Sequence, residues 1–205
     1  MTRQSHQAAS AEVLPSMGNL GRMGNAEEQF AWQDRAWTML EPFVTNSGFL
    51  RNRLANTWLG SQGWRVQMVP QYKLTGSAPE WLESLLPGLR RAGHRFLLGT
   101  VVEEGLARHS AVWKLPIDAD SIGRFFEAHY AIFHMMFPAD LSFAVHANDG
   151  DYAIIAGPEP LVRSLLAPEE IGAAATARVV EDIEEEHGPG CIDGILEHYA
   201  PFMLD

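Results

Sequence analysis

The chain has 205 residues, 46% of them hydrophobic, with one cysteine and a formal net charge of −11. That length suits one large domain with a real core, no apolar run approaches the ~18 residues of a membrane span, and a single cysteine excludes an internal disulfide. The charge is uneven: residues 1–102 hold ten Lys/Arg against seven Asp/Glu, residues 103–205 five against nineteen, and so acidic a half disfavours nucleic acid, whose phosphates need cations.

The N-terminal stretch lacks the basic start and apolar centre of a signal peptide. With the lone Cys191, this points to a cytoplasmic protein. Residues 1–25 are rich in Ser, Gln, Asn and Ala, and Gly18, Gly21 and Gly24 interrupt any helix, so they read as a flexible leader. Residues 26–205 then form a single α+β domain with an acidic C-terminal helical segment.

Phe30, Trp37, Leu40 and Val44 follow a helical spacing, which predicts a helix over Ala26–Val44. Asn46-Ser47-Gly48 breaks it. A second short helix follows over Phe49–Leu59, with Gly60 as its cap and Arg51 and Arg53 facing outward. Trp64 to Leu74 alternates cleanly: Trp64, Val66, Met68, Tyr72 and Leu74 against Arg65, Gln67, Gln71 and Lys73. This is a half-exposed strand, and Pro70, which cannot donate to a ladder, places it at a sheet edge. Such an edge could recruit a partner strand, although its outward polar side chains fit protection against pairing better. A helix over Glu80–Ala92 comes next, with Pro87 predicting a kink or an early end.

The block from His94 to Gly157 organises the chain. It reads as two β-hairpins flanking one apolar helix. The first hairpin pairs His94–Val102 with Ser110–Leu115, setting Phe96 opposite Trp113. The second pairs Leu141–Ala147 with Tyr152–Gly157 around an Asp149-Gly150 turn, setting Val145 opposite Ile154. Between them a helix runs from Asp118 to Phe137, stopped by Pro138. Ile122, Phe125, Phe126, Tyr130, Ile132, Phe133 and Met136 cover so much of its circumference that it must be buried. A short helix over Pro160–Leu166, an acidic one from Pro168 to about His187 and a last turn or two over Ile192–Tyr199 complete the chain. The fold class is therefore α+β: a roughly five-stranded antiparallel sheet, made of an edge strand plus two hairpins around a buried helix, packed with several helices.

No catalytic signature emerges. His187, Cys191 and His198 are spaced more loosely than zinc ligands usually are, so surface histidines and a lone cysteine are the simpler expectation. His129 and His134 stand five apart, about 140° around a helix, which is wrong for a helical metal pair. The G-x-S-x-G elbow and the phosphate-loop glycine patterns are absent. Turn chemistry already accounts for Asn148, Asp149 and Gly150, with Asp151 beside them. No catalytic residue, metal or cofactor is expected.

The function this favours is a non-catalytic, soluble protein-interaction module. Its most concrete form is an immunity- or antitoxin-like inhibitor using the acidic surface of Glu181, Asp182, Glu184, Glu185 and Glu186 against a basic protein partner. Neither nucleic acid nor a membrane is expected as a partner. The alternative is a small-molecule-binding domain or enzyme with a pocket between sheet and central helix, lined by Phe126, His129, Tyr130, Phe143 and His146. A homodimer held by the first two helices is a third option. Arg51, Arg53, Trp58, Trp64 and Arg65 combine residue types common in binding hot spots.

Overall fold

The computed structural model describes residues 20–44, 50–71, 80–103, 111–129, 132–148 and 151–205. In chain order its elements are β1 (Gly21–Arg22), α1 (Ala26–Thr38), β2 (Leu40–Val44), β3 (Leu50–Leu54), α2 (Asn56–Gln62), β4 (Arg65–Pro70), α3 (Glu80–Arg91), β5 (Phe96–Val101) and β6 (Trp113–Pro116). Then follow α4 (Ala119–Ala128), β7 (His134–Phe137), β8 (Ala144–Ala147), β9 (Tyr152–Gly157), α5 (Glu159–Leu165), a 3-10 turn at Pro168–Glu170, α6 (Ala173–His187) and α7 (Asp193–Tyr199).

The class is α+β, and the sheet is antiparallel, in the order β1-β6-β5-β7-β8-β9-β4. It has seven strands among the described residues rather than the five expected. The five predicted strands are all present. The additions are β1, which extends the sheet beyond β6, and β7, which joins the two hairpins at the centre. A separate two-stranded sheet pairs β2 with β3.

Four helical predictions change, one of them at its start: the helix expected from Pro168 opens at Ala173, after a separate 3-10 turn at Pro168–Glu170. The expected helix over Asp118–Phe137 ends at Ala128, and His134-Met135-Met136-Phe137 is a strand, buried at every position. A strand between two neighbours shows apolar residues on both sides, so it continues a helical apolar pattern without a visible break. The expected helix over Ala26–Val44 ends at Thr38; its last five residues are β2, with Pro42 inside. The expected helix over Phe49–Leu59 divides into β3 and α2. Cross-strand chemistry explains the hairpin: Glu41 stands opposite Arg53 and accepts from its Nε and Nη2 at 3.2 and 3.1 Å. Helix α3 runs through Pro87 to Arg91.

Both hairpin registers also differ from expectation. Gly99, not Phe96, faces Trp113, which moves Trp113 to the Leu97 and Leu115 side of the sheet. The packing is close there: a Cβ on Gly99 would lie 2.7 Å from Leu115 Cδ1 and 2.8 Å from Phe125 Cζ, so those side chains would have to shift. Val145 pairs with Ile155 rather than Ile154. Asn148 Oδ1 accepts from the amides of Asp151 and Tyr152, each at 3.0 Å. The expected turn at Asp149-Gly150 lies outside the described residues.

Helices cover both sheet faces. On one side α3, α4 and α5 pack through Trp81, Leu85, Leu89, Phe125 and Leu165 against Leu97, Met136, Val145 and Ile155. On the other, Ala36 and Met39 of α1, Leu59 of α2, Leu54 of β3, Val179 and Ile183 of α6 and Tyr199 of α7 pack against Leu98, Met135, Phe137 and Ile154.

β4 does stand at the end of the sheet, but it is not half-exposed: Val66, Gln67, Met68 and Val69 are all buried. Its outer edge is covered from within. Val66 donates its N–H to the Phe202 carbonyl at 2.9 Å and accepts from the Leu204 amide at 3.0 Å. This pairing uses the backbone groups at Val66 that a recruited strand would need.

Candidate functional site

Helix α6 separates two openings in the surface. Its position follows from its sequence and from one buried amide. Ala175, Val179 and Ile183 recur every four residues and face the core. Gln67 of β4, wholly buried, accepts from the Gly172 amide through Oε1 at 2.7 Å and donates from Nε2 to Thr176 Oγ1 at 3.1 Å. These bonds fix the start of α6 along the β4 edge.

The first opening is a groove of about 880 Å³ between α6, Leu196 of α7 and the segment Met203–Asp205. Its apolar surface comes from Ala173, Ala177, Val180, Leu196, Met203 and Leu204. Four carboxylate residues edge it, Glu181, Glu184, Glu185 and Asp205, and its described lining holds no Lys or Arg. One of the four also acts locally, since Glu184 Oε1 accepts from the Gly190 amide at 2.6 Å and so ties down the chain after α6. Of the five acidic residues singled out in the sequence, Glu181, Glu184 and Glu185 therefore meet at the groove. Asp182 and Glu186 are exposed on α6 but do not line it.

The second opening, of about 530 Å³, lies between the β2–β3 hairpin and the corner joining α6 to α7. Arg51 and Arg53 enter from the hairpin, Phe133 and Tyr152 from the main sheet, and Ile183, His187 and Cys191 from the corner. The hairpin is anchored through both backbone groups of Leu54. Its amide donates to the Tyr199 hydroxyl oxygen at 3.0 Å, and its carbonyl accepts from His198 Nε2 at 2.8 Å. Trp58 and Trp64 stack edge to face, 6.1 Å apart, and with Arg65 they lie outside the lining of this cleft.

The loose His187, Cys191 and His198 trio does not converge. His187 Nε2 lies 3.0 Å from Asp151 Oδ1, whereas His198 is buried against Leu54. Among the described residues no group of three or more His, Cys, Asp or Glu is placed to hold a metal. Partial burial, reinforced by the carboxylates of Glu184, Asp151 and Asp193, pushes the Cys191 thiol above its usual range. Such a thiol stays protonated and is a poor nucleophile.

The residues of the alternative pocket separate. Phe126, Phe143 and His129 belong to the α3–α5 side of the sheet. His146 stands opposite Met135 on the other side, with Phe133 5.8 Å away. Tyr130 lies outside the described residues. His129 Nδ1 donates to the Phe125 carbonyl at 2.8 Å, and burial lowers its pKa. A histidine not singled out for this pocket sits at its centre: His134 packs against Phe126 at 4.9 Å and Phe125 at 5.3 Å. Burial holds His134 down at about 3 and His146 at about 4, and the Nε2 atom of each has no hydrogen-bond partner among the described residues. At neutral pH both are uncharged packing elements, so the geometry here fills a core.

Sequence reasoning missed the Arg51–Arg53 cleft because it placed both arginines on the outside of a helix. A signal was present: Leu40–Val44 and Leu50–Leu54 are equal runs around Asn46-Ser47-Gly48, with Glu41 and Arg53 at matching distances from that break. Among described residues no helix is long and apolar enough to cross a membrane. Compared with known proteins, the chain matches no family model, no curated protein and no solved structure.

Proposed function

We propose that this protein is a non-catalytic interaction module that holds a basic, amphipathic segment of another protein in the groove beside α6. The observation that carries this reading is the combination in one groove of an apolar surface with four carboxylates and no described cation. Apolar contact supplies affinity, while the acidic edge selects for Lys and Arg and speeds encounter. This is the chemistry by which an immunity or antitoxin factor blocks a basic, nucleic-acid-handling target. The buried, neutral histidines and the protonated Cys191 fit a role without covalent chemistry.

The test uses the full chain and a fluorescent helical peptide of Leu and Lys, with a Leu/Glu peptide as control. The Leu/Lys peptide is expected to bind with an affinity that falls steeply as salt rises. The variant E181K/E185K should lose at least tenfold in affinity and keep wild-type stability, since both side chains are exposed. Binding unaffected by the double charge reversal, or equal binding of the two peptides, would refute the reading.

A further inference from the structure

The cleft beside the β2–β3 hairpin has a chemistry unlike that of the groove. In a chain of net charge −11, its described lining carries two arginines and one aspartate. Strand alternation turns Arg51 and Arg53 to the same face of β3, and the register sets Phe43 opposite Arg51 and Glu41 opposite Arg53. Each guanidinium lies over a ring, Arg51 5.4 Å from the centre of Phe133 and Arg53 5.2 Å from that of Phe43. Each also has a carboxylate at its side: Arg51 Nη1 is 3.6 Å from Glu103, and Arg53 Nη2 is 3.1 Å from Glu41. Neither glutamate lines the cleft, so they steady the two forks without filling the space before them.

We infer that this cleft binds a small molecule in which a phosphate, sulfonate or carboxylate is carried on a flat, apolar body. A guanidinium has five N–H donors in a planar fork suited to oxyanions. Arg53 commits Nε and Nη2 to Glu41, which leaves its remaining donors for a second acceptor. Arg51 Nη1 stands 3.6 Å from Glu103, longer than a good hydrogen bond, so this contact is Coulombic rather than a tight, directional bond. The arginine side chains are only 25% and 22% exposed, so water and salt screen them less than surface charges. Phe43 offers ring surface for the flat body, and the edges of the buried Phe133 and Tyr152 close the wall beneath it. On the far wall, Asp151 is turned to His187 at 3.0 Å rather than left facing the anion alone. The volume of about 530 Å³ lies within the usual range for ligand pockets.

The experiment is a titration of the full chain with phenyl phosphate, read by calorimetry and by amide chemical shifts. Saturable binding is expected, with shifts concentrated at residues 51–53, 151–152 and 187–195. Phenol should not bind, and inorganic phosphate should bind more weakly than phenyl phosphate. R51Q should weaken binding at least tenfold. E103Q should tighten it severalfold, because it removes a negative charge 3.6 Å from Arg51. Absence of saturable binding, shifts elsewhere, or an R51Q protein that binds like wild type would overturn the inference. Inorganic phosphate binding as tightly as phenyl phosphate would overturn the flat-body half of it. If R51Q fails to fold, E103Q decides alone: tighter binding supports the site, and unchanged or weaker binding rejects it. Glu181 and Glu185 do not line this cleft, so loss of peptide binding in E181K/E185K and loss of phenyl phosphate binding in R51Q are separate outcomes.

Discussion

The groove and the cleft share helix α6 as a wall, yet one gathers carboxylates and the other gathers arginines. The difference comes from how each collects its residues. The groove takes Glu181, Glu184 and Glu185 from a single helical run, so its charge is visible in the local composition. The cleft takes cations from β3 in the first half of the chain and its apolar and acidic lining largely from the second. Its sign is a product of tertiary structure. A net charge therefore describes this molecule's average and neither of these two openings.

The largest expected effect tests whether the two openings depend on the same helix. Ile183 is 7% exposed, packs into the core and lines the cleft. I183A should cost roughly 2–5 kcal/mol in urea unfolding, as deletion of buried branched side chains does. As α6 loosens, binding of both the Leu/Lys peptide and phenyl phosphate should weaken. Survival of either at full strength would separate the openings and break the comparison.

Acid tests the sheet beneath them. His134 and His146 have folded pKa values of about 3 and about 4, against 6.5 as their ordinary value. Burial depresses both, so the unfolded chain binds protons more readily than the folded one. Their stabilising contribution is complete above about pH 6.5 and is lost as pH falls, through about 4 for His146 and about 3 for His134. At pH 5 the loss is roughly 2 kcal/mol for each histidine. Urea midpoints measured between pH 7 and 5 should fall for wild type and fall less for H146L. Parallel pH curves for the two proteins would contradict this.

A smaller change should divide the two openings. Y199F removes the acceptor for the buried Leu54 amide, at a cost of roughly 1–2 kcal/mol. The hairpin carrying Arg51 and Arg53 should loosen, with faster exchange of the Leu54 amide. Phenyl phosphate affinity should fall while peptide binding holds. Equal losses in both assays would mean that the hairpin supports the groove as well.

Local signals in the sequence located much of this fold. The proline that sets β4 at an edge and the apolar runs of β5, β6, β8 and β9 report residue-level physics, and each strand is present; the alternation read in Trp64–Leu74 did not carry over, since β4 is buried on both faces. What escaped depends on partners distant in sequence. His134–Phe137 cannot be told from a helix by pattern, because burial on both faces erases the alternation. Leu40–Val44 also follows a helical spacing, and only the matching run Leu50–Leu54, which brings Glu41 opposite Arg53, tells for a strand. Pairing in the first hairpin was offset by three residues, and in the second by one, because neither sheet face is polar and patterning then sets no register. Glu181, Glu184 and Glu185 of the groove were legible; Asp205 and the apolar surface were not, since that surface combines α6 with Leu196, Met203 and Leu204. The hairpin carrying Arg51 and Arg53 left a local trace, but its convergence with Phe133 and Tyr152 did not.

The most direct measurement is hydrogen exchange on the full chain at low salt, with and without the Leu/Lys peptide. The account predicts slower exchange along Ala177–Glu185 and Phe202–Asp205, with residues 51–54 unchanged and the protection lost in E181K/E185K. Protection at the β2–β3 hairpin instead, or none in α6, would contradict the claim that the acidic groove is where this protein holds its partner.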